Sequence, residues 1–310
     1  MELQRLSKLM SQRGLCSRRE ADRFIEKGLV RVNGETVNTL GIKYPEDVKI
    51  ELSSLAQQEQ NSRLTIMINK PVGYVSGQAE DDYIPAVRLV RNENRSEIDR
   101  SSIQVNDYTL AKAHDLAPAG RLDIDSQGLL IVTQDGRIAK LLIGENNNIE
   151  KEYLVRVDGG ITAEKIERLQ FGIKLDGKAL KRAKVKQINP EQLQIILREG
   201  KKRQIRRMCD EVDLHVTGLK RVRIGEVRLG KLAEGEWRIV LPEEFQHSAS
   251  HQNKQVFHQR QRSSRPNKPA KKKQAMSNSM NNPGESKTDS KKNNRRESLY
   301  GQRSRNKQND

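Results

Sequence analysis

Two carboxylates separated by one residue stand in the stretch APAGRLDIDSQGLLIVT at 117–133: Asp123 and Asp125, with Arg121 just ahead and an apolar run behind. In an extended segment side chains alternate, so both acids leave the same side of the strand. Such a pair can divide acid and base roles across a glycosidic bond. The plain alternative is that one aspartate caps a turn or pairs with Arg121. A sugar hydrolase also wants aromatic platforms, and aromatic residues make up only 4% of the chain. A second group bears on the choice. In KKRQIRRMCDEV, Ile205, Met208, Cys209 and Val212 recur at i, i+3, i+4 and i+7, the buried stripe of a helix. Arg203, Arg206 and Arg207 lie on the adjoining arc with Gln204 nearby. They form either a solvated basic face or a set from which one arginine reaches a carboxylate at a cleft edge and keeps it ionised.

The elements that must carry these groups fall into two units. Residues 3–52 predict a small module. Leu3, Leu6, Leu9 and Met10 recur at helical spacing before Gly14, and Ser17 followed by Glu20 is a capping-box signature for a second helix that stops at Gly28. Asn33-Gly34 then sits between β-rich flanks as a hairpin turn, and DVKIEL offers one more strand. The polar stretch SSLAQQEQNSR is expected to be a linker. From about 61 to 245, the segments LTIMIN, GLLIVT, KEYLVRV, AKVKQI, QLQIILR and EWRIVL read as strands, and RIAKLLI, AEKIERLQ and KKRQIRRMCDEV read as helices. That mixture predicts an α+β domain with a mixed or antiparallel sheet and flanking helices. The polar segment 77–116 is expected to be a long surface excursion.

Charge is distributed unevenly. Residues 246–310 hold nine lysines and seven arginines against four acidic residues, +12 of the chain's +17, with nine apolar residues. So few apolar residues cannot offset the entropy of ordering, and the segment is expected to be a disordered basic extension suited to polyanions. The first helices are basic too, through Arg5, Lys8, Arg13, Arg18, Arg19 and Arg23, and the start of the second helix, at Ser17, Arg18 and Arg19, has the makings of a phosphate site. GEVRLGKL has P-loop glycine and lysine spacing, but Leu232 stands where the metal-binding Ser or Thr is needed, which argues against nucleotide hydrolysis. The five histidines form no ligand cluster with Cys16 and Cys209, so no metal site is expected, and two cysteines suit a reducing compartment. Neither a signal peptide nor a membrane span is expected, leaving a cytoplasmic monomer as the default.

Two resemblances sharpen this. The 3–52 module, with its CSRREADRFIEKGLVRVNG core, resembles the alpha-L RNA-binding domain named after ribosomal protein S-four. NKPVG at 69–73, GRLDIDSQGL at 120–129, KEYLV at 151–155 and RQIRRM at 203–208, in that order behind such a module, resemble the RsuA-like family of rRNA pseudouridine synthases. The resemblance spans about 3–245. It implies that Asp123 is the catalytic aspartate, that Tyr153 packs on the target base, and that Arg206 pairs with the aspartate while Asp125 serves the turn. It further implies an RNA partner and chemistry that needs no cofactor, since the isomerisation neither adds a group nor moves electrons out. Lys70, Arg121, Lys151, Arg203 and Arg207 become candidates for holding displaced RNA backbone, with Gln127 and Gln204 beside them. Ser126-Gln127 and the basic extension are most similar to the large-subunit type designated F, which points to one uridine of 23S rRNA, with tRNA or 16S rRNA as alternatives and ribosomal particles as a further possible partner. An inactive assembly factor built on the same domains is the reading from another class.

Overall fold

The computed structural model describes residues 2–77, 82–103, 115–144 and 148–248. The basic extension expected over 246–310 lies, apart from its first three residues, outside them.

The N-terminal module forms as its sequence dictates. After β1 (Gln4–Arg5) come α1 (Leu6–Gln12) and α2 (Arg18–Glu26), then β2 (Val30–Val32), β3 (Glu35–Val37), β4 (Lys43–Tyr44) and β5 (Ile50–Leu52). Leu6, Leu9, Met10, Phe24, Ile25, Val30 and Val32 close one small core. The capping box is present in both directions: the Ser17 hydroxyl accepts from the Glu20 amide and the Glu20 carboxylate accepts from the Ser17 amide. Asn33 and Gly34 have φ of 51° and 91°, the paired positive values of a two-residue hairpin turn.

The stretch expected to be a linker is instead α3 (Ser54–Asn61), capped by Ser53, whose hydroxyl accepts from the Ala56 amide at 3.2 Å. Its buried Gln60 donates to Asp135 of the next domain at 3.2 Å, a tertiary tie that outweighs the weak apolar pattern.

The larger domain is a nine-stranded mixed sheet. It contains β6 (Thr65–Lys70), β7 (Ala117–Pro118), β8 (Gln127–Thr133), β9 (Lys151–Asp158), β12 (Lys184–Asn189), β13 (Gln192–Leu197), β14 (His215–Ile224), β15 (Val227–Arg228) and β16 (Trp237–Ile239), with a separate ribbon of β10 (Lys174–Leu175) and β11 (Lys178–Ala179). The main path runs β12-β13-β9-β14-β8-β6-β16. Helices α4 (Gly136–Ile143), α5 (Ala163–Gln170) and α6 (Gln204–Asp210) flank it. Strands β6 and β8 are buried along almost their whole length because both faces are covered: Ile66, Ile68, Leu130 and Val132 enter one core, Met67, Leu129 and Ile131 the other. Cys16 and Cys209 are buried free thiols. Among the described residues no helix is long and apolar enough to cross a membrane.

Strand β14 is absent from the sequence-based expectation, although it is central. It lies parallel to β8, through Lys220↔Gln127 and Arg221↔Gly128, and antiparallel to β9. The expected surface excursion at 77–116 also needs correcting over 82–103. Ala86 and Val90 join the core, the Trp237 indole donates to the Arg91 carbonyl at 2.7 Å, and the Ser96 amide donates to the Trp237 carbonyl at 2.9 Å. The segment thereby covers the outer edge of β16. Residues 78–81 and 104–114 lie outside those described.

Candidate active site

The loop between β7 and β8 presents Asp123, and four ties hold it. The Ser76 hydroxyl donates to the Leu122 carbonyl at 2.7 Å and accepts from the Leu122 amide at 2.8 Å. The Gly73 amide donates to the Ile124 carbonyl at 2.9 Å, so the NKPVG turn lies against the GRLDID turn. Within the loop the Ser126 amide closes onto the Asp123 carbonyl at 3.1 Å. From β14, Arg221 donates to the Leu129 carbonyl at 2.7 Å and to the Arg121 carbonyl at 3.2 Å, spanning the loop's two ends. Arg221 is 2% exposed, and among the described residues its Nη2 has no hydrogen-bond partner. Gly128 makes this approach possible: its φ is +103°, and a Cβ there would sit 2.3 Å from the Arg221 carbonyl oxygen.

The arginine partner differs from expectation. Arg206 pairs with Asp125, not Asp123: its Nε lies 3.1 Å from the Asp125 carboxylate and its Nη2 donates to the Asp125 carbonyl at 2.8 Å. The Nε contact is not aligned as a hydrogen bond and acts through charge. A third contact, Nη1 to the Val216 carbonyl at 3.0 Å, fixes the guanidinium to β14 and aims it at the second aspartate of the motif. Arg203 adds a 2.9 Å hydrogen bond to the same carboxylate. Arg203 itself precedes α6 in a left-handed conformation, φ 51°, an uncommon state for a residue with a side chain. Burial acts to raise the Asp125 carboxyl, but the Arg203 hydrogen bond and the Arg206 charge outweigh it and hold Asp125 below the usual carboxylate range. Asp123 is half-buried, and among the described residues its carboxylate makes no hydrogen bond or ion pair.

Lys70, at the end of β6, is fully buried and donates to the Pro71 carbonyl at 2.7 Å and the Tyr74 carbonyl at 2.9 Å. Burial pulls its ammonium down to about 8, opposed by the nearby carboxylates of Asp125 and Asp123 and reinforced by Arg221. It therefore braces the site from below and is in no position to hold RNA backbone. Gln204 is likewise buried, accepting from the Lys201 amide and donating to Glu199, both at 2.9 Å, so it ties the turn before α6 rather than meeting RNA. Arg207 is engaged by Asp176 through two hydrogen bonds of 3.0 and 2.7 Å. Tyr153 is 8% exposed on β9, directly opposite Arg221 of β14. Lys151 is half-buried at the start of β9, where burial, then the charges of Arg221 and Lys181, lower its ammonium. Gln127 is half-buried at the start of β8, and the Arg121 side chain is exposed.

In the N-terminal module Arg5, Arg18 and Arg19 are exposed and Lys8 is half-buried. The expected phosphate site at Ser17 is already filled. The Glu20 carboxylate takes the Ser17 amide, and it also takes the amide of Gly136, which opens α4 in the other domain, at 3.2 Å. A helix start capped by an internal carboxylate and turned into a domain joint has no room for an anion.

The structure thus gathers Asp123, Asp125, Lys70, Arg203, Arg206 and Arg221 around one loop, with Tyr153 alongside. Arg221 and Ser76 escaped sequence reasoning; the one available signal was the alternation of basic and apolar residues in LKRVRI.

Residues 64–211 match the RNA pseudouridylate synthase family and residues 4–47 match the S4 domain. The dual-specificity RNA pseudouridine synthase RluF of Escherichia coli (strain K12) is 37% identical over 243 residues, covering 78% of this chain and 77% of that protein. The chain belongs to the RNA pseudouridine synthase family. It is also similar to the ribosomal large subunit pseudouridine synthase B of Bacillus subtilis (strain 168), with 31% identity over 248 residues, 78% of this chain and 94% of that protein. A crystal structure of a pseudouridylate synthase superposes with a TM-score of 0.54 at 27% identity, covering 79% of this chain and 99% of that one. As an RsuA-type pseudouridine synthase, the chain carries an S4 RNA-binding domain ahead of an α+β catalytic domain, and its substrate is RNA.

Proposed function

We propose that this pseudouridine synthase isomerises one uridine of 23S rRNA, with Asp123 as its working carboxylate. The observation that carries the second half is the contrast between two neighbouring acids. Asp125 is committed to Arg203 and Arg206, whereas Asp123 is uncommitted on a loop braced by Gly73, Ser76 and Arg221. A group that must meet substrate has to be held in place yet left unpaired. The reaction breaks the bond between uracil N1 and the ribose C1′, turns the base, joins C5 to C1′ and moves the C5 proton to N1, so atoms balance within the nucleoside. Asp123 serves either as nucleophile at C1′ or as the charge that stabilises the detached sugar and helps transfer its proton. In this reading Tyr153 stacks on the base and accepts the C5 proton. Arg206 acts through Asp125, keeping the loop in register. The uridine leaves its stack to reach this depth. Arg121, Lys151 and Arg203, with Arg5, Lys8, Arg18 and Arg19 on the S4 domain, are the proposed contacts to RNA backbone.

The 23S assignment rests on Ser126-Gln127 and on the names of the relatives, one a ribosomal large subunit enzyme and one dual-specificity. The second name supports a further RNA substrate besides 23S rRNA, for which tRNA is the proposed class. Mapping by carbodiimide-blocked primer extension, in cells with and without the gene, tests both. One 23S signal is expected to vanish and to return with wild type but not with Asp123→Asn; a signal lost only from 16S rRNA would remove the 23S assignment. A second reading, favoured by the ion pairs, makes Asp125 the working carboxylate. Asp125→Asn should then form no product, whereas the first reading expects it to retain partial activity.

A further inference from the structure

We propose that residues 171–186 form a stacking platform for an unpaired stretch of the substrate RNA beside the target uridine. This rests on the synthase reading above and adds a surface to it. In FGIKLDGKALKRAKVK the apolar side chains Ile173, Leu175, Ala183 and Val185 turn into the core, so that Lys174, Lys178, Lys181, Arg182, Lys184 and Lys186 all face outward against a single acid, Asp176. Lys184 is taken up by Glu150 at 2.9 Å and Lys181 by Asn148 at 3.2 Å. Lys174, Lys178 and Lys186 have no such partner among the described residues.

Lysines on this stretch have an ordinary explanation. β12 is the terminal strand of the sheet, and charged residues there deter edge-to-edge pairing. Phe171 does not fit that explanation. It follows α5 at 63% exposure, and the Arg182 guanidinium lies over its ring at 4.7 Å. Protection against aggregation would remove an exposed phenylalanine from an edge, not keep it. An aromatic face paired with a guanidinium plane, on a stretch that also exposes three uncommitted lysines, is what unpaired bases and their phosphates require: stacking that tolerates any base, and charge that follows the backbone.

The surface is also continuous with the candidate site. The tip of the β10–β11 ribbon carries Asp176, and its two hydrogen bonds to Arg207 fasten it to α6, one residue from Arg206. A strand leaving the active site over α6 would meet this ribbon.

Because the residues are exposed, substitutions leave the core intact. The test uses the full chain with 23S rRNA purified from cells lacking the gene, and a single-stranded RNA oligonucleotide for binding. Phe171→Ala should raise KM about tenfold with kcat held within about twofold, and Phe171→Trp should restore KM. Lys178→Glu with Lys186→Glu should lower the slope of log K against log salt by about 1.4, two single-strand phosphate contacts. Unchanged KM in Phe171→Ala together with an unchanged salt slope overturns the proposal. So does a Phe171→Ala effect confined to sedimentation, which would assign the surface to a second copy of the chain. If the wild type forms no pseudouridine at all, the synthase reading fails, while the oligonucleotide binding still decides the platform.

Discussion

Replacing Glu20 with glutamine should loosen the joint between the two domains. Glu20 is 3% exposed and its carboxylate serves three groups: the Ser17 amide that opens α2, the Gly136 amide that opens α4 at 3.2 Å, and Arg63 Nη1 at 3.1 Å. One carboxylate thus caps a helix in each domain and neutralises a cation between them. Removing one partner of a buried ion pair costs about 3–5 kcal/mol. Arg63 retains the Gln134 carbonyl at 2.7 Å and Glu59 at 3.3 Å, which places the loss at the lower end, about 3 kcal/mol. At roughly 2–4 °C per kcal/mol for a chain of this size, the melting temperature should fall by about 6–12 °C. Scanning calorimetry at low protein concentration provides the measurement. The wild type should melt in one transition and Glu20→Gln in two, the S4 domain leaving first. A single transition shifted by less than about 1 °C would refute the reasoning, because it would mean that the charge on Glu20 contributes nothing to the joint.

Other outcomes follow from the loop and the sheet. Arg221→Lys cannot reach both the Arg121 and Leu129 carbonyls, so single-turnover pseudouridine formation should slow by about a hundredfold while RNA affinity stays unchanged; equal losses in both would reduce Arg221 to a general structural role. Glu150 is held at about 2, against an ordinary 4.5, foremost by the Lys184 hydrogen bond, against opposing burial, and further by Arg198 and Arg223. A carboxyl depressed on folding contributes stability that is complete above its unfolded value and is lost as pH falls through its folded one. The melting-temperature gap between wild type and Glu150→Gln should therefore be widest near neutral pH and close between pH 4.5 and 2; a gap independent of pH would remove the ionic contribution.

Much of this architecture is legible in the chain because local chemistry and tertiary packing agree. The apolar run at 128–133, the alternating strand at 151–157, the Asn33-Gly34 turn and the Ser17–Glu20 cap all appear where their residue types require them. What stays hidden is whatever depends on a distant partner. HVTGLKRVRI shows too many cations for a central strand, and only the structure shows Arg221 bonded to two carbonyls and Arg223 to Glu150 and Glu152. The cap at Ser17 was visible, but its second duty to Gly136 links residues 116 apart in sequence. The same holds at the site: spacing shows two aspartates and three arginines, but which pair forms depends on where Val216 anchors the Arg206 guanidinium.

The position of β14 has a consequence for how the enzyme is made. Strands β8 and β9 are consecutive in the chain, yet β14 lies between them in the sheet, so neither finds its final neighbour until residues 215–224 have been synthesised. At about 5–20 residues per second, the loop bearing Asp123 waits several seconds on a nascent chain without the guanidinium that joins its two ends. A newly emerging chain therefore carries a complete S4 domain well before it carries a working active site. Translation itself thus sets an order in which the ability to hold RNA precedes the ability to alter it.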